Sequence, residues 1–513
     1  MKTIFLKLCC VLLCFIMLLV PLAACGEGED NTPNQPNSQQ PGDQTPDTDE
    51  KGDQDPDGPD QPEPDEPEIS PDQAVLENLG KADYGSVDFV IVASSSYENR
   101  FVIDQFASDD SYNGNAVHDE LFKRDSMIEE YFNINLVYDD VLDSVMATYV
   151  SGSISAGDDD YSLLLASLAK TAQPLFNNGL LRNIYDFEDI DLSQPWWNKK
   201  SVDNFELNGN IFMATGAITN RYVYAPYAML FNTRLIDDLS LENPYDLVDR
   251  DEWTMETFAM MIEGTYQDDG NDEIGLEDFY GLAPASDSET AYYFACGGQM
   301  VAKQGDELLP LYEEEKNYDI LRQIIDMYLT EDVLKFKSTY DSNVTFNDGR
   351  AIFHSTALCD ITMLSEMADK YGIVPMPKYD LNQTDYISNA NRSISTMAVF
   401  PISIRDTKMV GMITEALAGV SQYTSLDKQY DTVLLLRQAL DEQSKRNLQL
   451  VVESVSYDWG YVFDIGKVKS VIADAILKGE AGVADQYATI QDAVLGNIEA
   501  LMDKFQNYIS AEE

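Results

Sequence analysis

Short apolar runs alternate with amphipathic stretches in the first part of the chain. Residues 87–93 (VDFVIVA), 134–138 and 161–166 are apolar runs of strand length and predict buried strands. Residues 115–132 and 141–150 carry apolar positions at helical spacing and predict helices between those strands. Strands that alternate with helices predict an α/β fold, in which a parallel or mixed sheet is covered on both faces.

The rest of the chain continues this pattern with a larger share of helix. An apolar run at residues 224–232 opens a second α/β stretch, and the final third is mostly helical. No internal repeat with a period of about 20–50 residues is evident, which argues against a solenoid. Further helices are predicted over residues 170–177, 255–266, 289–295, 318–329, 409–421, 429–442, 445–452 and 467–477.

Polar residues follow two of the predicted strands of the first stretch. Ser95 and Tyr97 come after the first strand, and Ser167 follows the third. In open α/β sheets, ligands bind at the carboxyl ends of the strands. These three residues are therefore candidate ligand-binding residues.

Composition and charge exclude several classes of function. The 513 residues include 90 Asp and Glu against 33 Lys and Arg, a formal net charge of -57. So acidic a chain is unsuited to binding nucleic acid or to docking on anionic lipid through a basic surface. The chain has only two His, and it contains no zinc-protease, nucleophile-elbow, dinucleotide-binding or P-loop motif. These features argue against an enzyme.

The amino terminus has the features of a secretion signal. Lys2 and Lys7 precede an apolar run over residues 8–22, which is too short for a comfortable membrane span. The run ends in Leu-Ala-Ala-Cys-Gly, which resembles the bacterial lipobox and makes Cys25 the expected lipidation site. We therefore expect residues 1–24 to be a lipoprotein signal peptide; the alternative is an uncleaved signal anchor with an incidental cysteine.

Residues 25–75 differ in composition from the rest of the chain. Ten of the 20 Pro lie between Pro33 and Pro71, and residues 26–71 hold 15 acidic residues and one base, Lys51. Such a segment buries too little apolar surface to fold, and proline and self-repulsion favour extension. We expect an acidic, disordered tether that spaces the folded part from a membrane. The alternative is a low-complexity tail with no length requirement.

Two cysteines remain in the body of the chain once the signal and the lipidation site are set aside. An exported protein can oxidise Cys296 and Cys359 to a disulfide, and the alternative is a pair of buried thiols.

Several short motifs, in their order along the chain, resemble the extracellular solute-binding proteins of ABC importers, in the maltose-binding-protein-like family (family 1 type). The resemblance covers residues 85–505. Its motifs are LLRNI at 180–184, PWWN at 195–198, LNGNIFMATG at 207–216, AMLFN at 228–232, NPY at 243–245, DEWT at 251–254, NDGRA at 347–351 and GIVPMP at 372–377, with YDW at 457–459.

The resemblance implies a two-lobed α/β fold of the periplasmic-binding-protein type (type II), with a hinge of crossing segments and a helical carboxyl-terminal part. By analogy, the first lobe comprises residues 76–225 plus 378–445, and the second comprises 226–377 plus 446–513. Ligand would bind between the lobes and draw them closed for docking on membrane permease subunits. Catalysis is not expected.

Sugar-binding clefts place flat aromatic rings against the apolar faces of sugars. The resemblance makes Trp196, Trp197, Tyr224 and Trp459 candidates for this role. For each of them, packing in the core is the alternative.

Residues 267–278 resemble the calcium-binding loop found in some members of the family. Gln267, Asp269, Asn271 and Asp278 stand at positions that would supply oxygen ligands to a structural calcium ion. The loop departs from the pattern in having Gln at position 1, Asp at position 6 and Asp at position 12. An acidic surface turn is the alternative.

The leading hypothesis is a lipid-anchored solute receptor, most simply a monomer, on the outer face of the cell membrane of a Gram-positive bacterium. It would deliver a small polar solute, a sugar or oligosaccharide, to an ABC importer, with no cofactor other than the calcium ion. A surface glycan-active hydrolase or esterase is a second hypothesis. A ligand-sensing subunit of a signalling system is a third.

Overall fold

The computed structural model describes residues 69–94, 96–97, 101–102, 105–107, 114–335, 338–436, 442–479 and 481–508. The predicted signal peptide, the lipidation site Cys25 and the tether up to residue 68 lie outside the described residues. So does the candidate ligand-binding residue Ser95.

The first helix, α1 (Pro71–Leu79), begins inside the segment assigned to the tether. Pro71 occupies the first helical turn, where its fixed φ is favourable and its missing N–H costs nothing. Val75 and Leu76 are buried in the hydrophobic core, so these residues pack despite the proline-rich sequence before them.

A first sheet contains the three strands predicted from the apolar runs. It has the order β13 (Thr396–Val399), β5 (Leu163–Ser167), β1 (Val87–Ala93) and β4 (Ile134–Asp140). β1 pairs in parallel with β4 and β5, and β13 runs antiparallel to β5. All five residues of β5 are buried, as expected for a central strand covered by helices on both faces.

A second sheet is built from the later part of the chain. It has the order β11 (Tyr371–Val374), β6 (Tyr227–Asn232), β10 (Ala351–Ala357) and β7 (Tyr280–Leu282). β10 is parallel to β7, whereas β6 is antiparallel to both β10 and β11. The molecule therefore contains two separate, open, mixed sheets.

Short strand pairs complete the β structure. Two of these strands, β12 and β14, pair in parallel and lie at the point where the chain returns to the first sheet. The short strands are β2 (Ser96–Tyr97), β3 (Phe101–Val102), β8 (Val301–Gln304), β9 (Glu307–Pro310), β12 (Ser388–Asn389) and β14 (Val455–Ser456).

Helices cover both sheets and make up most of the last hundred residues. None of the helices in the described part of the chain is both long enough and apolar enough to span a membrane. After α1 they are α2 (Ala116–Phe132), α3 (Asp143–Ala156), α4 (Gln173–Asn177), α5 (Lys199–Phe205), α6 (Thr233–Asp238), α7 (Pro244–Asp249), α8 (Met255–Ile262), α9 (Ser288–Ala295), α10 (Glu315–Tyr328), α11 (Thr339–Asn347), α12 (Thr407–Tyr423), α13 (Ser425–Leu436), α14 (Glu442–Glu453), α15 (Trp459–Val462), α16 (Val468–Lys478) and α17 (Val483–Gln506).

The chain passes between the two sheets through segments held together by backbone hydrogen bonds. Pro226, just before β6, forms a bridge with Ala390, and the Asn391 N–H donates to the carbonyl of Ala225. These contacts join the entry to the second sheet with the return to the first.

Cys296 and Cys359 are both buried, and the structure does not join them in a disulfide. Burial raises the pKa of the Cys296 thiol well above its usual range. The structure therefore favours two buried thiols over a disulfide.

Candidate functional site

A cavity of about 540 Å³ lies where side chains from the edge of the second sheet meet the segment that leads into the first sheet. β7 and β10 are parallel, and the residues that follow them, Asp287 and Asp360, both line the cavity. Tyr227 lies at the same edge, because β6 begins where the antiparallel strand β10 ends. A cavity of this size is sufficient for a small ligand.

Asn391, Ser393 and Ile394, in the segment that leads into β13, also line the cavity. Thr396, the first residue of β13, pairs with Ser167 at the carboxyl end of β5. The cavity therefore adjoins the ends of strands from both sheets, the position at which α/β sheets bind ligands.

The polar side chains of the cavity are arranged by hydrogen bonds to one another and to the strands. The Asn391 amide donates to the Tyr227 hydroxyl at 3.1 Å, and the Thr356 hydroxyl of β10 donates to the Asp360 carboxylate at 3.0 Å. Asp287 forms an ion pair with Lys469 of α16 at 2.9 Å. These contacts hold oxygen acceptors in fixed positions at the wall of the cavity.

Tyr340 differs from the other large side chains of the cavity because 64% of its surface is exposed. It lies in the first turn of α11, one residue after the start of that helix. An exposed aromatic ring beside carboxylate and amide groups combines the two kinds of contact that a sugar requires, a flat apolar face and hydrogen-bonding oxygens.

Ser167 is the candidate ligand-binding residue from the sequence that lies closest to this cavity. It is fully buried at the end of β5, and its hydroxyl donates to the carbonyl of Ser393, a cavity residue, at 3.0 Å. Tyr97 lies in the two-residue strand β2. Tyr224 is 4% exposed, and its carbonyl accepts a hydrogen bond from the N–H of Cys359, which also lines the cavity.

The three candidate tryptophans lie away from the cavity lining. Trp196 and Trp197 donate their indole N–H groups to Glu415 of α12 at 2.9 and 3.0 Å. Trp459 is 2% exposed, donates to the Asn204 carbonyl at 3.0 Å and stacks on Phe463. Their role as ligand-binding residues stays a prediction.

A larger cavity, of about 1010 Å³, lies beside the tryptophan pair. It is lined mainly by residues 185–203, together with Tyr222 and Glu453. None of its lining residues belongs to the cavity at the strand ends. We favour the smaller cavity as the ligand site, because it collects side chains from the ends of strands in the second sheet and from the return to the first.

The candidate calcium loop is closed by its own hydrogen bonds. Asp278 is fully buried and accepts from the N–H groups of Asp269 and Gly275 and from the Tyr266 hydroxyl at 2.9–3.0 Å. These donors lower the pKa of Asp278 against the opposing effect of burial, which is the largest influence.

Carboxylate oxygens of Asp268, Asp269 and Asp278 lie within 4.8 Å of one another. Of the predicted ligands, Asp269 and Asp278 are thus brought together. Gln267 instead pairs through its backbone with Phe279, and the Asn271 side chain accepts from the N–H of Glu273. Because Asp278 already has donors for both oxygens, its carboxylate closes the loop without a cation, and the calcium ion stays a prediction.

The cavity residues Asp287, Tyr340 and Asp360 are absent from the candidates drawn from the sequence. Asp360 follows the buried strand β10, but His354, Ser355 and Thr356 interrupt the apolar pattern of that strand, so its sequence predicts a strand less clearly than the run before Ser167 does. Asp287 and Tyr340 follow a short strand and a loop, whose apolar patterns are weak. Their convergence depends on tertiary structure.

Comparison by sequence with known protein families and curated proteins gives no match for this chain.

Solved structures do match. An ABC substrate-binding protein from Listeria monocytogenes in complex with cycloalternan is 12% identical with a TM-score of 0.51, over 81% of this chain and 99% of that chain. A cyclo/maltodextrin-binding protein complexed with maltotetraose is 12% identical with a TM-score of 0.54, over 83% and 99%. UspC of M. tuberculosis is 12% identical with a TM-score of 0.53, over 80% and 99%.

The chain therefore has the two-lobed α/β fold of periplasmic binding proteins, as the resemblance in its motifs predicted. The solved structures with this fold include a cyclo/maltodextrin-binding protein and an ABC substrate-binding protein.

Proposed function

We propose that this protein is an extracellular, lipid-anchored solute-binding protein that delivers a sugar or oligosaccharide to an ABC importer. The observation that carries the proposal is the cavity at the strand ends, in a fold shared with proteins bound to cycloalternan and maltotetraose. Asp287, Asp360 and Asn391 offer acceptors and donors for hydroxyl groups, and Tyr340 offers an exposed ring. The protein releases its ligand chemically unchanged.

The anchor and the location are supported by the sequence before the folded part. Cys25 would carry the lipid, and the acidic segment would place the folded part at a distance from the outer face of the membrane. The variant Cys25→Ser should lose the lipid and move from the membrane fraction to the medium. Retention of that variant in the membrane would contradict lipid anchoring.

Delivery requires a state that the permease can recognise. We propose that the lobes comprise residues 76–225 plus 378–445 and 226–377 plus 446–513, and that ligand draws them together around the crossing segments. X-ray scattering of the monomeric protein should then show a smaller radius of gyration when ligand is added. An unchanged radius at saturating ligand would contradict closure.

A calcium ion in the loop of residues 267–278 is retained as part of the proposal. Asp268 and Asp269 are exposed and lie near Asp278, so a cation could approach them from solvent. The ion would be structural, because the loop contributes no residue to the lining of the proposed ligand cavity.

The decisive experiment is a thermal-shift and calorimetry screen of the folded part against a panel of oligosaccharides. A specific ligand should raise the unfolding midpoint by mass action. Asn391→Ala, in the cavity, should weaken binding, whereas Asn382→Ala, at an exposed position outside it, should not. Mass spectrometry of the recovered sugar should show no cleavage, and turnover would favour the hydrolase instead.

A further inference from the structure

The charged side chains in the described lining of the cavity are acidic. Among the residues that the structure describes, the lining includes two carboxylates, Asp287 and Asp360, and neither Lys nor Arg. The other polar lining residues carry hydroxyl or amide groups, which are neutral, as in Thr339 and Asn391. The lining therefore offers an acidic and hydrogen-bonding surface.

Lys469 of α16 brings a positive charge to this region, but its ammonium group already contacts other groups of the protein. Lys469 pairs with Asp287 at 2.9 Å, and its ammonium group lies 5.7 Å from the centre of the Tyr461 ring. Only 17% of its side chain is exposed. An anionic ligand would therefore meet an ammonium group whose charge is already balanced by Asp287.

Tyr227, a buried residue of the cavity lining, lies in the field of the same carboxylates. Its hydroxyl group is fully buried, and its pKa lies well above the usual range, chiefly because of that burial. Tyr461 and the charges of Asp287, Glu289 and Asp360 raise the pKa further. Carboxylates from two segments therefore act on the same phenol.

Such a wall discriminates between ligands by charge. A sugar hydroxyl can donate to a carboxylate, and an ammonium group is also attracted to it. A carboxylate or phosphate on the ligand would instead meet like charges in a partly enclosed cavity, where repulsion is screened less than in water.

We propose that the cavity selects neutral and amino-bearing carbohydrates over those that carry a carboxylate or phosphate, and that Asp287 and Asp360 set this selectivity. This inference rests on the proposed function, since it concerns the ligand of the same cavity. It predicts that an acidic sugar binds about tenfold or more weakly than its neutral counterpart. A loss of affinity of this size is expected from one moderate like-charge contact between the ligand and the wall.

The test compares matched oligosaccharides of equal length by calorimetry: the neutral sugar, its 2-amino form and its 6-carboxylate form, from several hexose series. Within any series that binds, the neutral or amino member should bind and the carboxylate should bind about tenfold or more weakly. Asp360→Asn and Asp287→Asn should narrow that difference. Asp319→Asn, an exposed carboxylate on α10 outside the cavity, should leave it unchanged.

Wild-type protein provides a second measurement that does not depend on the folding of any variant. The affinity of an amino member relative to its neutral counterpart should fall as salt is raised, because salt screens an attraction between charges. A carboxylate that binds as tightly as its neutral counterpart would overturn the inference and leave the proposed function standing. So would a difference that persists in both cavity variants. Failure of every carbohydrate to bind would overturn the proposed function and this inference with it.

Discussion

The indole N–H groups of Trp196 and Trp197 bind the two oxygens of one carboxylate, that of Glu415. Glu415 is 2% exposed, and burial raises its pKa to about 7, although the two indole donors oppose that effect. Neighbouring residues usually point their side chains in different directions, yet here both rings meet the same group. The segment before α5 is thereby fastened to α12.

Removal of this carboxylate should destabilise the folded protein. Glu415→Ala leaves two buried or half-buried indole N–H groups without their acceptor, and we expect the free energy of unfolding to fall by about 3 kcal/mol. Urea unfolding followed by tryptophan fluorescence measures the change.

A double-mutant cycle distinguishes the hydrogen bond from general packing. Trp196→Phe keeps an aromatic ring but removes one donor, and its cost should be smaller when Glu415 is already alanine. Additive effects of the two substitutions would show that the N–H···O contact contributes nothing beyond packing.

Buried carboxyl groups should also give the protein an unusual dependence of stability on pH. Burial raises the pKa values of Glu289, Glu415 and Asp458 to about 7. The folded state therefore holds protons that the unfolded state releases at lower pH, so stability present below about pH 4.5 should be lost as pH rises towards 7.

The measurement is the unfolding midpoint between pH 5 and pH 8, compared with the variant Glu415→Gln. The variant cannot titrate at this position, so its midpoint should fall less over the same range. A wild-type midpoint that rises with pH, or an equal fall in both proteins, would contradict this account.

The strands of the first sheet were predictable because each is a short, continuous apolar run. Residues 87–93 form β1 at the predicted bounds, and Ile134 begins β4 as predicted. A central strand is buried on both faces, so its sequence shows the burial directly. The helix predicted over 255–266 is shorter, Met255–Ile262, because the chain turns at Gly264, which has a positive φ.

The ligand cavity was less predictable, because its residues come from segments that are distant in sequence. Ser167 was found by its place after a strand, and its hydroxyl does contact the cavity residue Ser393. Asp287 and Tyr340 are more than fifty residues apart, and only the packing of the second sheet and α11 brings them to one cavity. Residue type alone does not separate Asp287 from the other acids of so acidic a chain.

The loop of residues 267–278 should depend on Asp278 whether or not calcium binds. Asp278→Asn replaces one acceptor oxygen with a donor, which leaves buried N–H or O–H groups of Asp269, Gly275 or Tyr266 unpaired. We expect a loss of about 2 kcal/mol of stability in the presence of a chelator. Chemical denaturation in excess EGTA measures it, and an unchanged midpoint would show that these contacts are unimportant.

Calcium itself is tested by adding the ion to the wild-type protein and to Asp269→Asn. If the predicted ion binds, the wild-type midpoint should rise with calcium concentration and the variant should not respond. An equal response in both proteins would exclude a site that uses Asp269.

The exposed ring of Tyr340 makes the sharpest prediction for ligand binding. Tyr340→Ala should weaken the binding of a sugar ligand about tenfold, because the substitution removes the ring that would stack on the sugar face. The stability of the ligand-free protein should hardly change, since 64% of the side chain is already exposed. Tyr423→Ala is the matched control, because Tyr423 is 45% exposed at the end of α12, outside the cavity lining, and should bind like the wild type. Calorimetry with the best ligand of the panel measures the affinity of both variants. If Tyr340→Ala binds as tightly as Tyr423→Ala, the sugar lies away from α11.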